Sequence, residues 1–510
     1  MPAGLPDNPG AAQRPAESLP PPPSMKLAQN IRDSSKWLIG SNVVSQALQF
    51  AFGIVLARLL VPADFGMIVT IQIFTGVIGL IASGGMGQAL VRAKAAVEHD
   101  FQVVFTLQML ICLAVFTGLV LVAPAFASWF GEPLYEDLLR VSAINFLMRP
   151  FLSIHTSWLN REMRFRDMSI QNFIAGAIGG VASIAMAAAG LGVWSLVLGG
   201  LVGSIASLLM VVRITPLRAR LRFDRSVART HGSYGVKITL KDLAVYFRKQ
   251  TSNLIIAKLA GPAMVGLFNK GYSLATLPLT SISGPVFQPV FRTMSAEQDN
   301  PDRIKYLFFR MMSLLLLYTL PLYIGLAWLA EPFIVVVYGE HWREAAPVLQ
   351  ILAPLGVLYC VGHPCGAVLA ATNRVGREVI VQIVTWAIVA VGCFVGLRWG
   401  LSGAALGIVL SQVYSTIHMY YLATRCFHSS MRDLFAAGAP VLVLNALLLS
   451  TLAAVDWLLP DGFKTESQAI YLVVATAAAA LVYLAGLLLL PLGALTSEAG
   501  RIRELLRLAR

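Results

Sequence analysis

The predicted helix at residues 234–259 carries a cluster of basic side chains that could bind an anion. At about 100° per residue, Lys237, Lys241, Arg248 and Ser252 fall within about 60° of one another around the helix. Cationic donors of this kind can replace the water around a bound anion. Arg248 lies near the helix midpoint, which favours a cavity, whereas Lys237 can reach the polar region beyond the helix end. We therefore expect an anion site along this helix.

The neighbouring flank of the same helix carries Asp242 and Lys249, two turns apart. Asp242 is the carboxylate that the sequence places deepest in a predicted helix, where it can bind a coupling cation or a proton. A structural ion pair with a nearby lysine is the alternative. A polar stripe on the predicted helix 36–58 includes Gln46 and Gln49, and it falls on this flank when it is shifted by 200 residues. The sequence leaves open which of the two faces lines a cavity.

Two further predicted helices supply candidates for the same site. Lys270 lies in the predicted helix 263–289, beside the basic helix in the chain. Arg140 and Arg149 share the predicted helix 135–158, but a spacing of nine residues puts them on opposite sides. Arg149 is nearer the middle and is the better cavity candidate. The predicted substrate-binding set is Lys237, Lys241, Arg248, Lys249, Lys270, Arg149, Gln46 and Gln49, with Asp242 for ion coupling.

The elements that must position these residues are membrane-spanning helices. The 510 residues are 57% hydrophobic and 13% charged, with a mean hydropathy of +0.71, whereas soluble domains carry about 25% charged residues. Apolar stretches of about 20 residues, the length that crosses a bilayer, follow one another along the chain. The pattern predicts an all-α polytopic protein with fourteen helices, near 36–58, 65–91, 101–123, 135–158, 167–189, 192–212, 234–259, 263–289, 306–329, 345–370, 377–397, 400–423, 435–455 and 468–492.

The distribution of basic residues predicts the orientation of these helices. Of the 39 Lys and Arg residues, 27 lie in segments that are cytoplasmic if both termini are cytoplasmic, and three lie in the opposite loops. Short cytoplasmic loops retain Lys and Arg, so this arrangement is favoured. The remaining nine lie within helices or at their ends. The net charge of +13 therefore needs no nucleic acid as a partner.

A repeat divides the chain. The segment 54–66 (IVLARLLVPADFG) recurs as 254–266 (LIIAKLAGPAMVG), with Pro62 matching Pro262 and Arg58 matching Lys258 in charge. Two six-helix halves of equal orientation imply a pseudo-twofold axis along the membrane normal, with the substrate between the halves. The predicted units are a disordered tail at 1–35, an N-lobe at 36–233, a C-lobe at 234–434, two helices at 435–492 and a basic amphipathic helix at 493–510.

Metal, cofactor and enzymatic chemistry find little support in the sequence. The five cysteines have no repeated spacing, which argues against a disulfide framework or a metal site. The seven histidines show no pairing with acids or nucleophiles. The loops predicted outside the cytoplasm, near 124–134, 330–344 and 456–467, are too short to hold much of an active site. We expect a transporter with no cofactor, not a polymerase or an acyltransferase.

Five short motifs give a family resemblance. The segments 57–66 (ARLLVPADFG), 159–165 (LNREMRF), 192–197 (GVWSLV), 271–279 (GYSLATLPL) and 339–342 (GEHW) resemble those of polysaccharide flippases in the multidrug/oligosaccharidyl-lipid/polysaccharide exporter superfamily. The resemblance runs from about residue 36 to 425. One departure is Ser252, since family members often carry Asp at this position.

The resemblance implies a function. It implies transport of undecaprenyl-diphosphate-linked oligosaccharide from the cytoplasmic to the outer leaflet of a bacterial inner membrane by alternating access. The product would feed exopolysaccharide, capsule or O-antigen synthesis, with a polysaccharide polymerase and export machinery as partners. A multidrug antiporter of the same superfamily and a lipid II flippase are the alternatives. The excess of basic residues on the helix 234–259 favours an anionic substrate over a cationic drug.

Overall fold

The computed structural model describes residues 44–92, 97–490 and 496–505, and in these ranges the chain forms helices and no strands. The helices are α1 Val44–Leu59, α2 Pro62–Ser83, α3 Met86–Arg92, α4 Glu98–Phe130, α5 Leu134–Arg161, α6 Phe165–Ala188, α7 Trp194–Ile214, α8 Arg225–Ala260, α9 Pro262–Ala296, α10 Pro301–Trp328, α11 Ala330–Tyr338, α12 Ala345–Leu352, α13 Leu355–Ala371, α14 Val375–Gly396, α15 Gly400–Phe427, α16 Met431–Leu458, α17 Asp461–Glu466, α18 Gln468–Leu489 and α19 Thr496–Leu505.

A helix is found at each of the fourteen predicted positions, the first being described only from residue 44. Two predicted helices are divided. The stretch 65–91 is interrupted by Gly84 and Gly85, whose φ angles of 55° and 59° end α2 in the left-handed region. The stretch 345–370 is interrupted before Pro354, which cannot donate the hydrogen bond that would continue α12. The predicted tail at 1–35 lies outside the described residues.

Nine helical stretches among the described residues are long and apolar enough to cross a membrane. They comprise α2 with α3, α4, α6, α7, α10, α12 with α13, α14 with α15, α16 and α18. Three other long helices, α5, α8 and α9, are less apolar because they carry charged and polar residues that include Arg149, Arg248 and Lys270. The chain is a multi-pass membrane protein.

We name the two ends of the bundle by the connections found there. The turn end carries the α1–α2 and α8–α9 turns, and the loop end carries the segment 215–224 between α7 and α8. We call α1–α7 the first half and α8–α15 the second half. In each half the last two helices pack through glycines. A side chain at Gly179 would meet the backbone of Gly203 in α7, and one at Gly392 would meet Gly407 in α15.

The repeated turns meet each other. A Cβ at Gly66 in α2 would collide with the carbonyl oxygen of Pro262, and a Cβ at Gly266 in α9 would collide with the carbonyl oxygen of Pro62. The two proline residues are the first residues of their helices, so α2 and α9 touch at their N-terminal turns. Each copy of the repeat thus packs on the other by the same contact, as expected across a pseudo-twofold axis.

The C-terminal helices pack on α10 of the second half. Tyr483 of α18 donates to the Leu317 carbonyl at 2.8 Å, and Ser313 of α10 donates to the Ala437 carbonyl of α16 at 3.1 Å. The described part of the predicted C-terminal amphipathic helix is α19. Its Glu498 is buried and accepts from Arg310 at 2.7 Å and Tyr318 at 2.9 Å, so α19 docks on the protein through an acid.

Candidate substrate cavities

The basic helix α8 lies between two cavities. The central cavity, of about 420 Å³, lies between α8 and helices of the first half, and its lining includes Thr75, Asn145, Arg149, Tyr246 and Gln250. The second-half cavity, of about 610 Å³, is bounded by α8, α9, α13, α14 and α15. Successive residues of α8 therefore face different chambers, because a helix turns by about 100° at each residue.

The second-half cavity contains two of the predicted cations. Arg248 and Lys249 line it with Ser252, and Nη1 of Arg248 donates to Oε1 of Gln382 at 2.8 Å. Glu378, one turn before Gln382 on α14, also lines this cavity. Two cations therefore face one carboxylate in the cavity lining, which leaves a net positive charge for an anionic ligand.

Arg149 is a cation of the first half that lines the central cavity. Its side chain is half-buried, lies against Gly79 of α2 and stands over the Phe146 ring at 5.9 Å from the centroid. A larger residue at Gly79 would displace the guanidinium. Across the central cavity, Oη of Tyr246 donates to the Gln72 carbonyl at 2.8 Å, and this bond joins the two halves midway along α2 and α8.

Arg149 also borders a third cavity. This hydroxyl cavity, of about 820 Å³, lies on the loop-end side of the first half between α2, α3 and α5. Its polar lining consists of Arg149 and side chains that carry hydroxyl or amide groups, namely Ser83, Gln88, Ser153, Thr156, Ser157 and Asn160. Arg149 therefore stands where the central and hydroxyl cavities meet.

The structure separates the other predicted residues from these cavities or does not describe their side chains. Gln46 and Gln49 lie on an exposed part of α1, and Asp242 is half-buried on α8. The side chains of Lys237 and Lys241 lie outside the described residues. Arg140, the alternative to Arg149, pairs with Glu136 at 2.7 Å near the turn end of α5. Arg149, by contrast, lines two of the cavities.

Lys270 lies against aromatic rings at the turn end and is absent from the lining of the described cavities. Its Nζ is 4.9 Å from the ring centroid of Phe65, 4.4 Å from that of Tyr338 and 4.7 Å from that of Trp342. Phe65 belongs to the first half and the other two rings to the second. Ring faces attract a cation. Because the three rings come from both halves, the contact of Lys270 with them joins the two halves.

Two matched basic residues connect the halves at the same end. Arg58 of α1 donates from Nε to the Val337 carbonyl at 3.0 Å and from Nη2 to the Val336 carbonyl. Lys258, its counterpart in the repeat, donates to the Trp129 carbonyl of α4 and lies 5.2 Å from the centroid of that tryptophan ring. Each residue crosses to the opposite half. The turn end is closed in this conformation.

A further bond seals the turn end. Nε1 of the fully buried Trp342 donates to the Ala57 carbonyl at 2.8 Å, and its ring packs edge-to-face on Phe65 at 5.2 Å. Trp342 lies in the segment 339–342, one of the five motifs. The motif therefore has a structural role that the sequence comparison did not identify.

Several residues that line the cavities are absent from the substrate-binding set predicted from the sequence. Glu378 lies close to the start of the predicted helix 377–397. Acidic residues are common in the first turn of a helix because they interact favourably with its dipole, so Glu378 did not indicate a cavity. Gln382, Tyr246 and Gln250 are uncharged and were not among the predicted site residues. Gln382 lies one turn from Glu378, and Tyr246 and Gln250 lie one turn from each other on the face of α8 away from Arg248, but neither spacing identifies a cavity in the sequence.

The chain is similar to several proteins of polysaccharide biosynthesis. The lipopolysaccharide biosynthesis protein WzxC of Escherichia coli K12 is 21% identical over 401 residues, which are 78% of this chain and 82% of that protein. The succinoglycan biosynthesis transport protein ExoT of Rhizobium meliloti is 24% identical over 497 residues, 95% of this chain and 96% of that protein. The teichuronic acid biosynthesis protein TuaB of Bacillus subtilis is 24% identical over 471 residues, 90% of this chain and 95% of that protein.

Two solved structures share the fold. The lipid II flippase MurJ in an inward closed conformation has a TM-score of 0.69 at 14% identity and covers 88% of this chain and 97% of its own. An inward-facing MATE-family transporter of the MOP superfamily has a TM-score of 0.58 at 15% identity, with 75% and 94% covered. The family model described as polysaccharide biosynthesis protein matches residues 55–347, more than half of the sequence. The resemblance carried by the five motifs is thereby confirmed, and the chain belongs to the polysaccharide biosynthesis protein family.

Proposed function

We propose that this protein is a flippase that moves undecaprenyl-diphosphate-linked oligosaccharide repeat units from the cytoplasmic to the outer leaflet of a bacterial inner membrane. The observation that carries the proposal is the set of cations, Arg149, Arg248 and Lys249, that line cavities on both sides of α8. A cation at the membrane centre costs about 2.5–3.5 kcal/mol on insertion scales, so three of them in cavities imply a function. The protein is a transporter and not an enzyme, and its product feeds exopolysaccharide, capsule or O-antigen synthesis.

The membrane topology in this proposal has fourteen spans in two six-helix lobes, with two additional helices and both termini in the cytoplasm. The reciprocal contact of Gly66 and Gly266 supports the pseudo-symmetric lobes. The excess of basic residues at the loop end supports a cytoplasmic loop end and places the turn end outside. A polysaccharide polymerase and export machinery are the partners that receive the product.

The diphosphate of the carrier is the group that the cations bind in this mechanism. Its charge must pass through a medium of low dielectric constant, where charge-assisted hydrogen bonds replace water. Arg149 serves from the first half, and Arg248 and Lys249 serve from the second. Lys237 and Lys241 lie on the loop-end side of α8 and attract the incoming anion, and Gln46 and Gln49 extend the polar path along α1.

Alternating access supplies the direction of movement. With the turn end closed by Arg58 and Lys258, substrate enters from the loop end in the present conformation. Opening of the turn end separates Phe65 from Lys270 and presents the freed ammonium to the diphosphate on the outer side. Asp242 takes the coupling ion on the flank of α8. Ser252 lines the second-half cavity where relatives often carry Asp, so Asp242 is left as the carboxylate of this helix.

Two replacements test the proposal. In a strain that lacks this gene, Arg149→Gln or Arg248→Gln should lower polysaccharide export by at least about tenfold, because a charge-assisted hydrogen bond contributes about 1.5–3 kcal/mol. Lipid-linked oligosaccharide should then accumulate in the cytoplasmic leaflet, with an unchanged amount of protein in the membrane. Arg398→Gln, an exposed arginine near the turn end, is the control. Normal export by both cavity variants would refute the proposed site.

A multidrug antiporter and a lipid II flippase are the competing assignments. The antiporter would bind organic cations, which the cations of the cavities repel. A lipid II flippase carries the same diphosphate lipid, and the MurJ likeness concerns the fold. The leaflet assay separates the two flippases, because loss of a lipid II flippase stops cell-wall synthesis, whereas loss of this protein should stop polysaccharide export alone.

A further inference from the structure

The hydroxyl cavity differs in chemistry from the two cavities beside α8. Arg149 is its only charged lining residue among the residues that the structure describes. The second-half cavity, by contrast, contains Arg248, Lys249 and Glu378. A site for a second anion would need further cations, and a site for an organic cation would need a carboxylate or an aromatic cage. The lining fits an uncharged, hydrogen-bonding ligand.

The polar groups of this cavity are available to a ligand. Within the described part of the chain, the side chains of Ser153, Ser157 and Asn160 have no hydrogen-bond partner in the protein, although Ser157 is buried. Thr156 donates to the Leu152 carbonyl at 2.6 Å, so its oxygen is left as an acceptor. Hydroxyls both donate and accept, and the Asn160 amide does the same through separate atoms. These polar groups line the cavity and make no bonds within the described part of the protein, so they can donate to and accept from a hydrogen-bonding ligand.

The cavity is kept open by a small residue on its opposite wall. A Cβ at Gly87 of α3 would lie 2.8 Å from Oγ of Ser157 and 3.5 Å from Oγ of Ser153. Any side chain at this position would therefore cover the two serines. The glycine leaves the serines accessible from the cavity, where a polyhydroxylated ring can approach them closely.

We propose that the hydroxyl cavity receives the first, neutral sugar of the lipid-linked glycan while Arg149 holds the phosphate to which this sugar is attached. The inference rests on the proposed flippase function and assigns a separate subsite within it. The bond between sugar and phosphate joins an uncharged group to an anion, and Arg149 stands where the uncharged cavity meets the central one. The two parts of the ligand thus match the two environments on either side of this residue.

The test compares two kinds of probe on the purified full-length protein in lipid nanodiscs. The probes are undecaprenyl diphosphate and the same lipid carrying a single glucose, galactose or N-acetylglucosamine. The wild type should bind at least one glycosylated probe about tenfold more tightly than the bare diphosphate, since several added hydrogen bonds together amount to a factor of this size. The variant Ser153→Ala/Ser157→Ala/Asn160→Leu should bind the bare probe as the wild type does and lose this preference.

The control variants distinguish failure of the sugar subsite from failure of the proposed flippase function. Ser128→Ala, outside the cavities, should bind every probe as the wild type does, and Arg149→Gln should lose affinity for all of them. Equal binding of bare and glycosylated probes by the wild type overturns the sugar subsite alone. An equal loss for both kinds of probe in the triple variant also overturns it. Failure of the wild type to bind any probe overturns the proposed function as well.

Discussion

Gly66 of α2 and Gly266 of α9 occupy equivalent positions on the two sides of the interface between the halves, each beneath the first carbonyl of the other helix. The two residues are 200 positions apart in the chain, as are the prolines they contact. Only glycine lets two backbones approach this closely. The repeat in the sequence therefore has a physical cause at this point, because both copies must lack a side chain for α2 and α9 to meet.

Replacement of either glycine should prevent the turn end from closing. In Gly66→Val or Gly266→Val, the new side chain collides with a proline carbonyl of the other half, and backbone cannot move aside as a flexible side chain can. We expect each variant to reach the membrane, because the collision lies between the halves, and to lose most polysaccharide export. Gly118→Val in α4, where a Cβ would meet nothing within 4 Å, is the control and should export normally. Wild-type export by both interface variants would contradict this account.

Loss of the matched basic contacts should open the turn end. Arg58→Gln and Lys258→Met each remove a charged donor from a carbonyl of the opposite half. A bond of this kind at an exposed position is worth about 1 kcal/mol, so each change should shift the ratio of open to closed protein about fivefold. A cysteine at Ala57, fully buried here, should react faster with a membrane-impermeant maleimide in these variants. Arg398→Gln should leave the labelling rate unchanged, and an equal rate in all variants would argue against the role of the two contacts.

The two arginines of α5 should differ sharply in their importance. Arg140 pairs with Glu136 and Asp137 on a partly exposed surface, and such pairs contribute about 0–1 kcal/mol. Arg140→Gln should therefore keep more than about half of wild-type export, whereas Arg149→Gln should keep less than about a tenth. Export from the complemented deletion strain, normalised to protein in the membrane, measures both. Equal effects of the two changes would show that cavity position does not decide the outcome.

The C-terminal helix should detach when its buried acid is neutralised. Glu498 has 4% of its side chain exposed and accepts from Arg310 and Tyr318, so Glu498→Gln replaces charge-assisted bonds that contribute about 1.5–3 kcal/mol. We expect faster cleavage of the chain near α19 by a protease added to inside-out membrane vesicles. Glu504→Gln, an exposed acid on the same helix, should be cleaved at the wild-type rate. Identical cleavage of the two variants would rule out the docking role of Glu498.

Much of the helical framework could be predicted because it depends on local hydropathy. The same rule could not reveal the break after α2, since Gly84 and Gly85 lie within an apolar stretch and only their positive φ angles end the helix. Pro354 lies at the break between α12 and α13. The effect of a proline on a helix can be recognised in the sequence, whereas the effect of a glycine depends on the residues that surround it in the fold.

Some residues of the candidate site could be chosen from the sequence because cations in apolar helices are conspicuous. Arg149, Arg248 and Lys249 line cavities, although the sequence left open whether the face of Arg248 or the flank of Lys249 would do so. The position of Lys270 could not be predicted, because Phe65 and Trp342 are distant in the chain and come together only when the two halves meet. The serines of the hydroxyl cavity carry no charge and form no motif. Their significance follows from the space beside Gly87, which is a property of the fold.

The interface between the halves at the turn end can be weak and still re-form readily. The segment 215–224 joins α7 to α8, so the two halves remain tethered when the turn end separates. A short tether holds its ends at an effective concentration in the millimolar range, at which even a weak interface re-forms readily. A few carbonyl contacts and a pair of facing glycines therefore suffice to close the turn end, and their weakness allows it to open again in every cycle.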